Sequence, residues 1–191
     1  MRPDERMSLV PVDRVCWSPH ADDRPAGEAV TLAVIHAISL PPGCYRGDAI
    51  ERLFLGKLDP TAHPYFAAIA TLRVSAHYLI RRDGTTIAFV PPERRAWHAG
   101  VSTWQGRSRC NDFSIGIELE GDDETPFALA QYDRLAQLLL ALRQRFPQLT
   151  NLAGHYHIAP ERKRDPGPYF SWAALAARLA ASSNLWVVPR A

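Results

Sequence analysis

The run TLAVIHAI, Thr31 to Ile38, constrains the fold more than any other stretch of this chain. It is apolar and rich in β-branched residues, with no regular polar alternation, which is the pattern of a central strand buried on both faces. LPPG follows and ends it abruptly, so His36 falls near the strand's end. A second strand, FSIGIELEG, does alternate. Phe113, Ile115, Ile117 and Leu119 share one face, and Gly116, Glu118 and Glu120 share the other, so one face belongs to the core and the other carries two carboxylates.

Helical signals separate the strands. DAIERLFL and HPYFAAIATL read as short helices, and Leu129, Tyr132, Leu135, Leu139, Leu142 and Phe146 recur at helical spacing over about 128–146, until Pro147 blocks further turns. Asp83-Gly84, inside SAHYLIRRDGTTIAFV, is a two-residue hairpin signal. NLAGH reads as a short strand, and Ser171 can cap a last helix over WAALAARLA. Strands alternating with helices predict an α/β fold, a mixed central β-sheet flanked by α-helices. With 191 residues the chain fits one domain spanning 1–191. Within it, residues 1–30, rich in Pro, Asp and Arg, wrap the surface, and the core runs over about 31–182.

Composition narrows the function. Hydrophobic residues at 47% and charged residues at 22% exclude a disordered or fibrous chain. A net charge of +2 and no run of five basic residues argue against nucleic acid as a partner. No apolar run has the length of a signal peptide or a membrane span, and Cys16, Cys44 and Cys110 are odd in number and far apart, which suits the reducing cytosol. The 16 prolines point to long, shaped loops that carry the function.

One such loop is GHYHIAPERKRDPGPYF, Gly154 to Phe170. Neutral histidines with a carboxylate form a common ligand set for catalytic zinc, and His155 and Asp165 lie on this loop while His36 sits at a strand end. If the segment is extended, His155 and His157 face the same side, and spacing alone does not choose between them. The same holds for Glu118 and Glu120, either of which could serve as a general base. His98 reads as a hydrogen-bonding partner rather than a ligand, and Cys110 as a small buried residue.

Four segments, VIHAISLPPG, LDPTAHPYFAAIATLRVSAHYLIRRDG, RAWHAGVSTWQGRSRCNDFSIGIELEG and GHYHIAPERKRDPGPYF, resemble the zinc-dependent N-acetylmuramoyl-L-alanine amidases, and within them the cytosolic branch of cell-wall recycling. The resemblance runs from about Thr31 to Trp172. It implies the amidase and peptidoglycan-recognition-protein-like fold, one Zn²⁺ per chain held by His36, His155 and Asp165, and Glu118 rather than Glu120 as the catalytic glutamate. It further implies Lys163 as a second catalytic group, His157 outside the ligand set, and Arg73, Trp97 and Arg109 as contacts to the muropeptide. The implied reaction is hydrolysis of the amide between the lactyl group of 1,6-anhydro-N-acetylmuramic acid and the L-Ala of the stem peptide. Ala37 stands where the branch commonly has Asn, which removes a polar group beside the sugar. Two rival classes share the fold. A binding-only module usually lacks a ligand or a catalytic group, whereas all five positions are filled here; a lytic amidase usually carries an export signal or wall-binding domain, and neither is visible. The expectation is a cytoplasmic, monomeric enzyme whose partner is a soluble anhydro-muropeptide, with no nucleic acid and no membrane.

Overall fold

In the computed structural model of the chain, which describes residues 10–180 and 186–187, two short strands come first, β1 (Arg14–Val15) and β2 (Ala21–Asp23). The long β3 (Leu32–Ile38) follows, then α1 (Ala49–Phe54), α2 (Pro64–Ile69), β4 (Tyr78–Ile80), β5 (Thr86–Ala88) and β6 (Arg94–Ala96). A small ribbon of β7 (Thr103–Trp104) and β8 (Arg107–Ser108) leads through a 3-10 turn, Cys110–Asp112, into β9 (Ser114–Glu120). Next are α3 (Leu129–Arg145), β10 (Asn151–Gly154), the single-turn α4 (His155–Ile158) and α5 (Trp172–Arg178).

Six strands form the central sheet in the order β1-β5-β4-β9-β3-β10. β4, β9, β3 and β10 run parallel to one another, while β5 is antiparallel to β4 and parallel to β1, so the sheet is mixed and flanked by helices as expected. Strand alternation divides the core. Ala33 and Ile35 of β3, Ile115, Ile117 and Leu119 of β9, and Tyr78 and Ile80 of β4 pack on one face with Leu135, Leu139 and Leu142 of α3 and Leu175 of α5. On the other face Leu79 and Ile87 meet Ile50, Leu53 and Phe54 of α1 and Phe66 of α2, and Leu32 and Val34 meet Ala99, Phe113 and Ile158. β3 is thus covered on both sides, the arrangement its unalternating sequence demanded. The carboxylate face of β9 is buried too: His98, after β6, lies against Gly116, and Arg81, after β4, covers Glu120.

Local chemistry fixes the joints. Gln131, fully buried, accepts a hydrogen bond from the Ala128 amide and donates to the Ile80 and Glu120 carbonyls, tying the start of α3 to two strand ends. The Ser171 hydroxyl accepts from the Ala174 amide and caps α5. The β4–β5 hairpin exists, but its loop has three residues instead of two. The Arg81 amide donates to the Thr85 carbonyl, and Gly84 takes φ +89° after a first turn over Arg82 and Asp83, the left-handed position that glycine supplies in three-residue hairpins. Within the expected surface segment, β1 pairs with β5 and β2 with β6; strands of two and three residues are too short for periodicity to reveal. Residues 1–9 of that segment, and 181–182 at the far end of the expected core, lie outside the described residues.

Candidate metal centre and groove

Parallel pairing of β3, β9 and β10 brings their C-terminal ends together, which is where open α/β sheets place their ligands. His36 leaves β3 on the face of Leu32 and Val34, and its neighbour in register on β9 is Glu118. β10 pairs Gly154 with Ile35, so His155, the next residue, starts α4 beside His36. Asp165 reaches the same point from the proline-rich loop. His36 Nδ1 lies 3.0 Å from His155 Nδ1 and 3.2 Å from Asp165 Oδ2, and His155 Nδ1 lies 3.1 Å from that oxygen. These three atoms offer a nitrogen, nitrogen and oxygen donor set, and a tetrahedral ion with bonds of about 2.1 Å sets its ligands about 3.4 Å apart. The observed spacing is close to that, and the outer nitrogens are already engaged: His36 Nε2 with His98 Nδ1 at 2.9 Å, and His155 Nε2 with the Ala99 carbonyl at 3.1 Å. The residues present fit a zinc ion.

His157 does not join them. The segment is one turn of helix rather than extended, so two residues are separated by about 200° around the axis. His157 Nδ1 accepts the Gly154 amide at 2.8 Å and its ring packs on Tyr156 and Trp172. The glutamates separate as well. Glu120 is tied into a structural ion pair with Arg81, accepts the Arg82 amide, and Arg81 also meets Glu51 at 2.6 Å. Glu118 is buried and lines the groove, and its Oε2 has no hydrogen-bond partner among the described residues.

Burial, then the negative charge of Asp165, hold the Glu118 carboxyl well above the usual range, with Lys163 opposing. Burial pushes the His36 imidazole down to about 4 despite the carboxylate of Asp165 beside it. For Asp165 burial acts upward, but the adjoining His155 and His36 rings outweigh it and the carboxyl lies below its usual value. Charge at this point is therefore concentrated on the Asp165 carboxylate, beside a His36 ring that burial keeps neutral.

The centre opens into a groove of about 470 Å³. One wall is apolar, from Leu53 and Phe54 of α1, Tyr65 and Ile69 of α2, and Leu72; Lys163, Arg164 and Trp97 contribute to the rest, and Ala37 lies beside His36. Trp97 is held firmly: its indole N–H donates to Asp22 Oδ1 at 3.0 Å, its ring stacks on His20, and the exposed Arg73 guanidinium sits 5.4 Å from the ring centre. Arg109 does not line this groove. It occupies a left-handed backbone position before the 3-10 turn, where its side chain pairs with Asp112 at 3.1 Å. Sequence reasoning did not find the apolar wall, Ser114 or the Ala99 carbonyl. Ser114 had a signal, since it shares strand parity with Gly116 and Glu118; a backbone carbonyl has none.

Two imidazoles at the ends of parallel strands and a loop carboxylate, beside a buried glutamate with one oxygen unpartnered among the described residues, form a donor set of the kind that metal-assisted hydrolases use. A sequence model of the family described as N-acetylmuramoyl-L-alanine amidase matches residues 26–168, and the chain belongs to that family. It is 58% identical over 168 residues to the 1,6-anhydro-N-acetylmuramyl-L-alanine amidase AmpD of Citrobacter freundii, covering 87% of this chain and 90% of that protein. The crystal structure of a selenomethionine AmpD derivative superposes with a TM-score of 0.86 at 57% identity, covering 88% of this chain and 95% of that one. The complex of Escherichia coli AmiD with anhydro-N-acetylmuramic acid-L-Ala-D-gamma-Glu-L-Lys matches at 28% identity and a TM-score of 0.57, covering 88% of this chain and 63% of that one.

Proposed function

We propose that this amidase hydrolyses the amide between the lactyl group of 1,6-anhydro-N-acetylmuramic acid and the L-Ala of the stem peptide, in peptidoglycan recycling, with one zinc held by His36, His155 and Asp165. The observation that carries the reading is the convergence of their three donor atoms beside Glu118, whose Oε2 has no hydrogen-bond partner among the described residues. Zinc bound there supplies Lewis acidity, which acidifies water and polarises an otherwise unreactive amide carbonyl.

The chain's own groups do the rest. Glu118, held above the usual carboxylate range, is suited to take a proton from the attacking water and pass it to the departing L-Ala nitrogen. The Lys163 ammonium, two residues before Asp165 and on the groove lining, faces the oxygen on which negative charge develops. Asp22 and His20 fix Trp97 as a flat platform suited to a sugar face, and Arg73 above it suits a stem-peptide carboxylate. The groove's apolar wall excludes water from one side of the scissile bond. All three cysteines are free, and no helix among the described residues is long and apolar enough to cross a membrane, both compatible with a monomeric enzyme acting on soluble fragments in the cytosol.

Ala37 beside His36 leaves the sugar one polar contact fewer, worth about 0.5–1.5 kcal/mol, which narrows selectivity without abolishing it. The test is a parallel digest of 1,6-anhydro-muropeptides, their reducing-end counterparts and intact sacculi, followed by mass spectrometry. Anhydro substrates should be cleaved well ahead, with little release from sacculi. Equal rates on both soluble substrates, or efficient digestion of sacculi, would place the protein among lytic amidases.

A further inference from the structure

The hydrogen bonds behind the two histidines carry direction. A backbone carbonyl can only accept, so each chain of bonds that ends on one can be read proton by proton. The Ser114 hydroxyl lies 2.5 Å from the Cys110 carbonyl and must give its proton there. Its oxygen is then the acceptor in the 3.1 Å contact with His98 Nε2, which makes Nε2 the protonated nitrogen of His98. In a neutral ring that leaves His98 Nδ1 bare, so it accepts from His36 Nε2 at 2.9 Å. His36 is thereby the Nε2–H tautomer, and its Nδ1 presents a lone pair to the centre. His155 reaches the same state more directly: Nε2 faces the Ala99 carbonyl at 3.1 Å and must donate, leaving Nδ1 bare.

Both outcomes trace to one dipeptide. His98 and Ala99 are consecutive, and the Asn111 side-chain oxygen accepts both of their amides, at 3.1 and 2.8 Å. Arg162 donates to the Ala99 and Val101 carbonyls at 2.8 Å each and pins the far side of the loop. Gly116 lets the His98 ring lie against the sheet: a Cβ there would stand 2.3 Å from the ring's Cγ. His98 is half-buried at the groove, with both ring nitrogens engaged by protein partners.

We infer that the His98-Ala99 dipeptide sets the tautomer of both His36 and His155, so that two bare Nδ1 atoms face Asp165, and that His98, anchored by Ser114, is a positioning residue for the metal. This rests on the reading of His36, His155 and Asp165 as zinc ligands, but its first test does not. In protein stripped of metal, ¹⁵N chemical shifts of the imidazole nitrogens report which nitrogen of His36 carries the proton. Wild type should show Nε2–H, and Ser114→Ala and His98→Phe should show a mixture or the Nδ1–H form. Zinc affinity, measured by competition with a chelator, should fall about 10- to 100-fold in both variants, the usual consequence of losing a group that orients a ligand. Ser114→Ala removes a single oxygen and keeps the test available if His98→Phe does not fold.

An Nδ1–H form in the wild type, or an unchanged tautomer in Ser114→Ala, overturns the inference; so does a loss of zinc affinity with the tautomer unchanged, which would mark a merely structural role. If wild-type protein binds no zinc, the metal reading fails while the tautomer measurement still decides the relay.

Discussion

Gly116→Ala puts the account of the site's construction at risk with one methyl group. The new Cβ would stand 2.3 Å from Cγ and 2.6 Å from both Cδ2 and Nδ1 of His98, where carbon contacts settle at about 3.5–4.0 Å. The ring must therefore retreat by more than about 1 Å. Any retreat disturbs its partners, since its centre is 5.0 Å from that of His36 and 5.8 Å from that of His77, and two hydrogen bonds of 2.9 and 3.1 Å hold its nitrogens. A shift of that size breaks one or both. Overpacking costs about 1–3 kcal/mol, and a buried polar atom left without a partner about 1–3 kcal/mol more. At about 2–4 °C per kcal/mol for a chain of this length, the melting temperature should drop by at least about 4 °C. The assay is thermal unfolding followed by circular dichroism, with zinc chelated so that metal loss does not contribute. His98→Ala in the same background should relieve the clash, so the double variant should be less destabilised than the sum of the singles. A melting temperature within about 1 °C of wild type in Gly116→Ala would refute the close packing of His98 on β9.

The two glutamates should part company: Glu118→Gln keeps zinc and fold yet lowers turnover by roughly 10² to 10⁴, whereas Glu120→Gln keeps turnover and lowers stability by about 1.5–3 kcal/mol through its bonds with Arg81 and Arg82. Steady-state kinetics beside urea unfolding distinguishes them. Lys163→Met should reduce kcat on the order of 10² to 10³ with little change in KM, and a rise in KM alone would make Lys163 a substrate anchor. Arg95, against a smaller opposing effect of burial, brings the Asp22 carboxyl from 3.8 down to about 2. The folded state thus holds this proton more weakly than the unfolded chain, and the pair's stabilisation is complete above pH 3.8 and lost as pH falls through about 2. Asp22→Asn should flatten the melting curve's pH dependence across that window, by under about 1 kcal/mol because the pair is partly exposed. An unchanged slope would deny the pair this role.

Much of the architecture could be read from periodicity, and its failures have physical causes. β3, β9 and α3 announce themselves because burial on two faces, alternation and helical spacing each leave a distinct pattern over seven or more residues. β1 and β2 are too short to leave one. His155 and His157 could not be separated because their relative direction depends on whether that segment is helical, and one turn of helix beside β10 is decided by tertiary packing: a side chain on Gly154 would collide with Tyr156 and Pro166. Glu118 and Glu120 share a strand parity, and only the position of Arg81 on a neighbouring strand's end separates them. For Arg109 the chemistry was legible but the position was not: the left-handed residue after β8 sets its guanidinium beside Asp112, which no local pattern foretells. The apolar wall depends on how two loops and two short helices are draped, which no local pattern encodes.

His36, His155 and Asp165, from distant segments, are proposed to hold one zinc together. Inductively coupled plasma mass spectrometry of protein purified without added metal, run on wild type, His155→Ala, Asp165→Ala and His157→Ala, tests it most directly. Wild type and His157→Ala should each carry about one zinc per chain, and the other two essentially none. Zinc retained in His155→Ala and lost in His157→Ala would contradict it.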